Sequence, residues 1–357
     1  MKAVIKASLA GSVALAYTLV IVYASLQPFA GWRMPSPEVL GFLGAPWPRY
    51  ITTNDIALNV AAYLPLGAML FFTLRPPLSA AFAFLLATAL AALLSFALEN
   101  VQMFLPTRIA SNIDLLSNSA GAALGALAGV LLSLWNNPLT DLRRQVLRAG
   151  TLGDAGLVII ALWLVIQFQP SPIAFGSGNL RDVFGITPMF MHSSQAYLLA
   201  EAAVVALAVI TIGLAISLMM QTRRYTVHLM LATLLLTAMA KSIAAISISR
   251  ASNWLQWLTP GVAAGLLAGA LVLAALVWLG PSTRAVLAMI SVASGIALIN
   301  LMPDNPYQAP PPFMSGLQPT HLANFGSIVR LLSQCWPFAT LLLLFALARE
   351  GPPRPAR

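Results

Sequence analysis

Largely apolar runs of about 20 residues recur along this chain, and they restrict its fold more than any other feature. They fall at roughly 7–26, 55–74, 79–98, 113–135, 155–168, 196–220, 226–249, 260–279, 285–302 and 331–348, ten in all. A helix needs about 20 such residues to cross the hydrocarbon core of a bilayer. Inside lipid every backbone polar group must be satisfied internally, which leaves helices and closed barrels. The runs are continuous rather than alternating, so helices are expected. The chain has 357 residues, of which 59% are hydrophobic and 8% charged. A soluble domain carries about 25% charged residues, and a disordered one has low hydrophobicity. Both classes are excluded. The expectation is an all-α polytopic transmembrane bundle of about ten spans, with the lipid bilayer as its first partner.

The formal net charge is +9. No basic run is interleaved with aromatic residues, so nucleic acid is not an expected partner, and the basic residues are read as topology signals. With the N-terminus in the cytoplasm and spans alternating, twelve basic residues fall inside: Lys2, Lys6, Arg75, Arg143, Arg144, Arg148, Arg223, Arg224, Arg284, Arg349, Arg354 and Arg357. Six fall outside: Arg33, Arg49, Arg108, Arg181, Arg250 and Arg330. Basic residues collect in cytoplasmic loops, so this bias predicts a multi-pass protein of the cell membrane with both termini cytoplasmic. Lys2 and Lys6 before the first run resemble the start of a signal peptide. That run is long and no small-x-small cleavage site follows it, so an uncleaved first span is expected.

Long outer loops are expected at 27–53, 169–195 and 303–327. Within the last, consecutive prolines in Asn305-Pro306-Tyr307-Gln308-Ala309-Pro310-Pro311-Pro312 preclude a helix. The inner loop 136–153, with Asp141, Arg143, Arg144 and Arg148, reads as a cytoplasmic linker. It separates a four-helix membrane domain at 1–135 from a second transmembrane region at 154–357.

Charge at membrane depth is expensive and tends to mark function, and the first domain concentrates it. Asp55, Asn59 and Tyr63 are spaced by four and share one helix face, followed by Pro65 and Gly67. Glu99 and Gln102 close the third span, before Leu105-Pro106-Thr107-Arg108. Ser111, Asp114, Asn118, Gly121 and Gly125 then run down the fourth at alternating spacings of three and four. Gly121, Gly125 and Gly129 form a small-residue face for close helix packing. Alternating topology brings Asp55, Glu99 and Asp114 together near the outer face, with Arg108 as counter-charge.

This pattern, Asp55-x3-Asn59-x3-Tyr63-x-Pro65-x-Gly67 followed by Glu99-x2-Gln102-x3-Pro106-x-Arg108-x2-Ser111-x2-Asp114-x3-Asn118-x2-Gly121, resembles the VanZ-like family. The resemblance covers roughly residues 10–135. It implies a compact four-span unit of the cell envelope, in a family named for a membrane protein linked to glycopeptide resistance, notably to teicoplanin. About six further spans after it extend this chain beyond the family's typical four-span unit.

Two readings of the cluster compete. One is an ion network locking three helices together. The other is a functional site, with Asp55, Glu99, Arg108 and Asp114 as candidate catalytic groups and Asn59, Tyr63, Gln102, Ser111 and Asn118 as candidate substrate-binding groups. Three acids facing one arginine favour the second, because a carboxylate short of positive charge suits a general acid or base, or the binding of a cation or amine.

Three functional classes follow. The chain is an envelope enzyme acting on a lipid-linked or peptidoglycan-related precursor, a non-catalytic accessory protein that alters envelope assembly or antibiotic susceptibility, or a transporter of a small or lipid-like solute. No nucleotide-binding loop, hydrolase elbow or metal-ligand spacing is present, so neither a cofactor nor a metal is expected. His192, His228 and His321 lie far apart, and the single Cys335 precludes an internal disulfide. In the second region, Glu201 and Lys241 are expected to pair, or Lys241 to snorkel to the outer interface. Arg181 and Asp182 are expected to be solvated on an outer loop.

Overall fold

A computed structural model describes residues 2–26, 31–34, 40–47, 53–75, 77–106, 108–134, 146–148, 150–168, 174–189, 193–221, 225–247, 253–302 and 321–350. Asp141, Arg143 and Arg144 of the expected linker, His192, and the proline stretch 305–312 lie outside the described residues.

The chain forms helices wherever an apolar run was expected. In order these are α1 (Lys2–Leu26), α2 (Gly41–Gly44), α3 (Thr53–Leu74), α4 (Ala80–Gln102), α5 (Asn112–Leu134), α6 (Thr151–Ile166), α7 (Arg181–Phe184), α8 (Ser194–Met219), α9 (Thr226–Ser247), α10 (Pro260–Leu276), α11 (Pro281–Leu301) and α12 (His321–Glu350). Among the described residues, seven helices are long and apolar enough to cross a membrane, and Val13–Leu26, Thr151–Ile166 and Pro260–Leu276 are shorter apolar helical stretches. The protein is therefore an all-α polytopic bundle. One expectation is corrected. The outer loop placed at 303–327 is helical from His321 onward, because α12 extends beyond its apolar stretch and hydropathy alone misses the extra turns.

The chain divides into two compact units, Met1–Asn137 with Gly316–Ile328, and Pro138–Ser315 with Val329–Arg357. In the first, α3 and α5 pack through glycine. A Cβ added at Gly125 would run into the Leu64 carbonyl, one at Gly121 into that of Val60, and one at Gly67 into that of Ala122. Backbone therefore lies directly on backbone, which small residues permit. On α4 the buried face runs Ala83, Ala87, Ala91, Ser95 and Glu99 at a spacing of four. Its small residues let neighbours approach, and its last two positions are polar. The Tyr17 hydroxyl of α1 donates to the Ala62 carbonyl of α3 at 3.0 Å, in the turn just before Pro65.

In the second unit α8 is the central helix, buried almost continuously from Val209 to Met219. Gly261, Gly265 and Gly269 of α10 face Glu201, Ala202 and Ala206 of α8. Pro337 inside α12 has no N–H to offer the carbonyl four residues earlier. That carbonyl, of Ser333, accepts instead from the Gly178 N–H at 2.8 Å. Gly178 has φ +82°, a conformation L side chains rarely adopt.

Candidate functional site

The polar residues of the first unit gather where α3 begins, α4 ends and α5 begins. The turn between α4 and α5 is held by backbone bonds from Phe104 to Val101, Leu105 to Gln102 and Arg108 to Leu105. Ser111 then opens α5. Its Oγ accepts from the Asp114 N–H at 3.4 Å, the usual way a serine satisfies an orphan donor at a helix start. The Ser111 N–H points back to α4 and donates to Glu99 Oε2 at 2.8 Å. Asn59 Nδ2 of α3 donates to Asp114 Oδ1 of α5 at 2.9 Å. Two carboxylates are thus each fixed by a donor from another element.

One turn deeper lies a second layer. Asn118 Nδ2 of α5 donates to Ser95 Oγ of α4 at 2.9 Å. Ser95 also lies beside Tyr63 of α3. Tyr63, Ser95, Glu99 and Asn118 are all buried, with Glu99 only 3% exposed. Asn59, Arg108, Ser111 and Asp114 are half-buried and form the rim.

The charges act on one another, with Asp114 repelling Glu99 and Arg108 attracting it. Burial lowers the Arg108 pKa from its ordinary value, and the Glu99 charge opposes that shift. Arg108 also donates to the Ala24 carbonyl of α1 at 3.4 Å. Among the described residues, no group of three or more His, Cys, Asp or Glu side chains could hold a metal ion.

Two expected site residues have other placements. The Gln102 amide donates to the Ser25 carbonyl at 3.0 Å, which ties the end of α4 to α1. Asp55 lies half-buried in the first turn of α3, one turn before Asn59. Sequence reading missed Ser95, because a serine in an apolar helix most often bonds its own backbone. Its spacing of four from Glu99 was the available signal. The described part of the preceding loop reaches this end of the unit. Arg33 N–H donates to the Phe104 carbonyl at 2.8 Å, and Asn112 Nδ2 donates to the Ala45 carbonyl at 2.8 Å.

In the second unit Glu201 accepts from the Thr259 hydroxyl at 2.6 Å, at the start of α10. The expected solvated Arg181 is instead buried. Its guanidinium donates to the carbonyls of Asn300 at 3.1 Å, Ile299 at 2.7 Å and Met302. These are carbonyls without helical partners at the end of α11, and a cation there also meets the negative end of the helix dipole. Asp182 is exposed as expected, with Arg330 3.6 Å away.

The fold and this cluster define a polytopic membrane protein with a polar site set among its first helices. Residues 9–133 match the family model VanZ/LLP1, the segment and family that the polar motif resembles. No curated protein and no solved structure matches the chain.

Proposed function

We propose that the VanZ-like unit works at the outer face of the cell membrane, where its Asp/Glu/Arg cluster receives the head group of a lipid-linked or cell-wall component. The observation that carries this reading is the position of the acids, with Glu99 buried and held by the Ser111 N–H while Asp114, held by Asn59, stands at the half-buried rim beside Arg108. In this reading Glu99 and Asp114 are the anionic centre. Asn59 and Ser111 fix them, Tyr63, Ser95 and Asn118 form the floor, and Arg108 and Asp55 border the rim. Arg108 would meet an anionic part of the head group. Gln102 acts as a tie to α1. The outward direction follows from the excess of Lys and Arg expected on the cytoplasmic side.

The test is a profile of lipids and cell-wall precursors, with glycopeptide susceptibility, in a deletion strain complemented by wild type, Glu99→Gln or Asp114→Asn. The reading expects an altered species or susceptibility, restored by wild type and not by variants that accumulate normally in the membrane. Full complementation by both variants overturns it. Orientation has its own check. In a Cys335→Ser background, Trp32→Cys should react with an impermeant maleimide added outside intact cells. Reaction only from the cytoplasmic side contradicts the outward site.

A further inference from the structure

Between α1 and α3 the chain runs along the end of the first unit that carries the acid cluster. Residues 40–47, Leu-Gly-Phe-Leu-Gly-Ala-Pro-Trp, hold no charge. They lie deeper than a surface loop would. The buried Phe42 of α2 packs its ring 6.3 Å from that of Phe96. Phe96 belongs to the apolar span Ala80–Gln102 and precedes Glu99 by one turn. At a rise of about 1.5 Å per residue, it sits about 9 Å inside the end of α4. Leu40 and Leu43 flank Phe42 and are exposed, at 55% and 46%. The backbone here has its own partners. The Leu43 N–H donates to the Leu40 carbonyl at 3.1 Å and the Ala45 N–H to that of Phe42 at 3.4 Å. The Ala45 carbonyl accepts from Asn112 Nδ2 at 2.8 Å. Irregular backbone at membrane depth needs such internal partners. Past the end of α4 the composition changes. Trp32, Arg33 and Met34 are exposed beside the Phe104 carbonyl that holds the Arg33 N–H, and Trp47 is exposed as well.

We propose that residues 40–47 are an interfacial anchor seated in the bilayer leaflet at the site end of the unit, with phospholipid as the partner. Leu40 and Leu43 lie among acyl chains, and Trp32, Arg33 and Trp47 lie at the head groups. Contiguous exposed apolar side chains mark an interaction surface, and three observations choose lipid over a protein. The first is continuity with the outward faces of the spans. Leu93 of α4 and Leu116 of α5, on the two helices against which α2 packs, are each 61% exposed. The second is depth, since α2 reaches the level of Phe96 within a span, which a water-soluble partner does not reach. The third is the edge. Tryptophan favours the boundary between membrane and water, and an arginine there meets phosphate while its stem stays on apolar surface. Through Asn112 the anchor ties the first turn of α5, with Asp114, to the leaflet. The anchor stands independently of what the acid cluster binds.

The experiment uses the purified full-length protein with Cys335→Ser in phosphatidylcholine nanodiscs. A single environment-sensitive NBD label is placed at Leu43→Cys or, as a second position, at Leu40→Cys. Leu93→Cys supplies the lipid reference, and labelled N-acetylcysteine in buffer supplies the aqueous one. Both loop positions are exposed side chains, so the labels leave the Phe42–Phe96 contact in place. Each should emit at the wavelength of the Leu93 label and resist quenching by iodide. Each should also lose intensity about twofold when nitroxide-bearing phosphatidylcholine enters the nanodisc, as expected of an element buried at the head-group and acyl boundary. Emission at the aqueous wavelength, with quenching by iodide and none by nitroxide lipid, overturns the proposal. Shielding from both quenchers overturns it too, and assigns the surface to a protein partner or a second copy of this chain. Neither result bears on the acid cluster, whose own test is complementation by Glu99→Gln and Asp114→Asn.

Discussion

The two units differ in where their buried charge sits. In the second, beside a buried Glu201 held by Thr259, two buried arginines meet the ends of helices. Arg181 takes three carbonyls at the end of α11, and Arg284 donates to the carbonyl and hydroxyl of Ser217 near the end of α8, at 3.1 and 2.9 Å. Arg148 pairs with Glu350 at 2.6 Å and bonds its own N–H to the Met219 carbonyl. Arg181 and Arg284 thus serve carbonyls that helix geometry leaves without partners. In the first unit the buried charge is acidic. Glu99 is held by the Ser111 N–H and Asp114 by the Asn59 amide, and the Asn118 amide oxygen is buried without a hydrogen-bond partner. A charge that completes backbone bonding explains itself structurally.

The contrast can be broken first at the frame. Gly125→Val should cost about 3 kcal/mol, because the new side chain drives α5 off the Leu64 carbonyl and overpacking of this kind is poorly relieved. Thermal unfolding in detergent and the amount of protein in the membrane both report it. A fully stable variant would mean that α3 and α5 do not touch through backbone.

Arg181→Met comes next. It should destabilise the second unit by about 2 kcal/mol, since carbonyls at the end of α11 lose a charged donor, and it should leave any phenotype of the first unit intact at normal protein levels. A lost phenotype with unchanged stability would make Arg181 a functional residue and erase the contrast.

The smallest of the three belongs to Glu201. Thr259→Val removes the hydroxyl that donates to its carboxylate and should cost about 1 kcal/mol, read as a modest fall in unfolding temperature. A loss several times larger would indicate that the second unit also depends on a buried acidic centre.

Much of this was legible in the sequence, and for definable reasons. Helix positions followed from hydropathy, since lipid demands long apolar runs whatever the packing. The stripe Ser111, Asp114, Asn118, Gly121 predicted one face of α5, and the structure uses it twice, for polar contacts above and for glycine contacts below. Arg181 was misread as solvated because its partners are backbone carbonyls more than a hundred residues away, which no local spacing encodes. Ser95 was passed over for a related reason. Its role depends on Tyr63 and Asn118 arriving from two other helices. The glycine face of α10 was also missed, although Gly261, Gly265 and Gly269 repeat at the same spacing of four that marked α5.

The central claim is that the acids of the first unit serve a ligand rather than the fold. The unfolding temperature of the Glu99→Gln, Asp114→Asn double variant tests it most directly. Both replacements keep shape and retain an acceptor for the Ser111 N–H and the Asn59 amide. Groups kept for function often cost stability, so the account predicts an unfolding temperature within about 2 °C of wild type, or above it. Breaking a buried ion lock costs about 3–5 kcal/mol, which for a unit of this size lowers the unfolding temperature by about 6 °C or more. A fall of that size would make the cluster a structural lock and contradict the account.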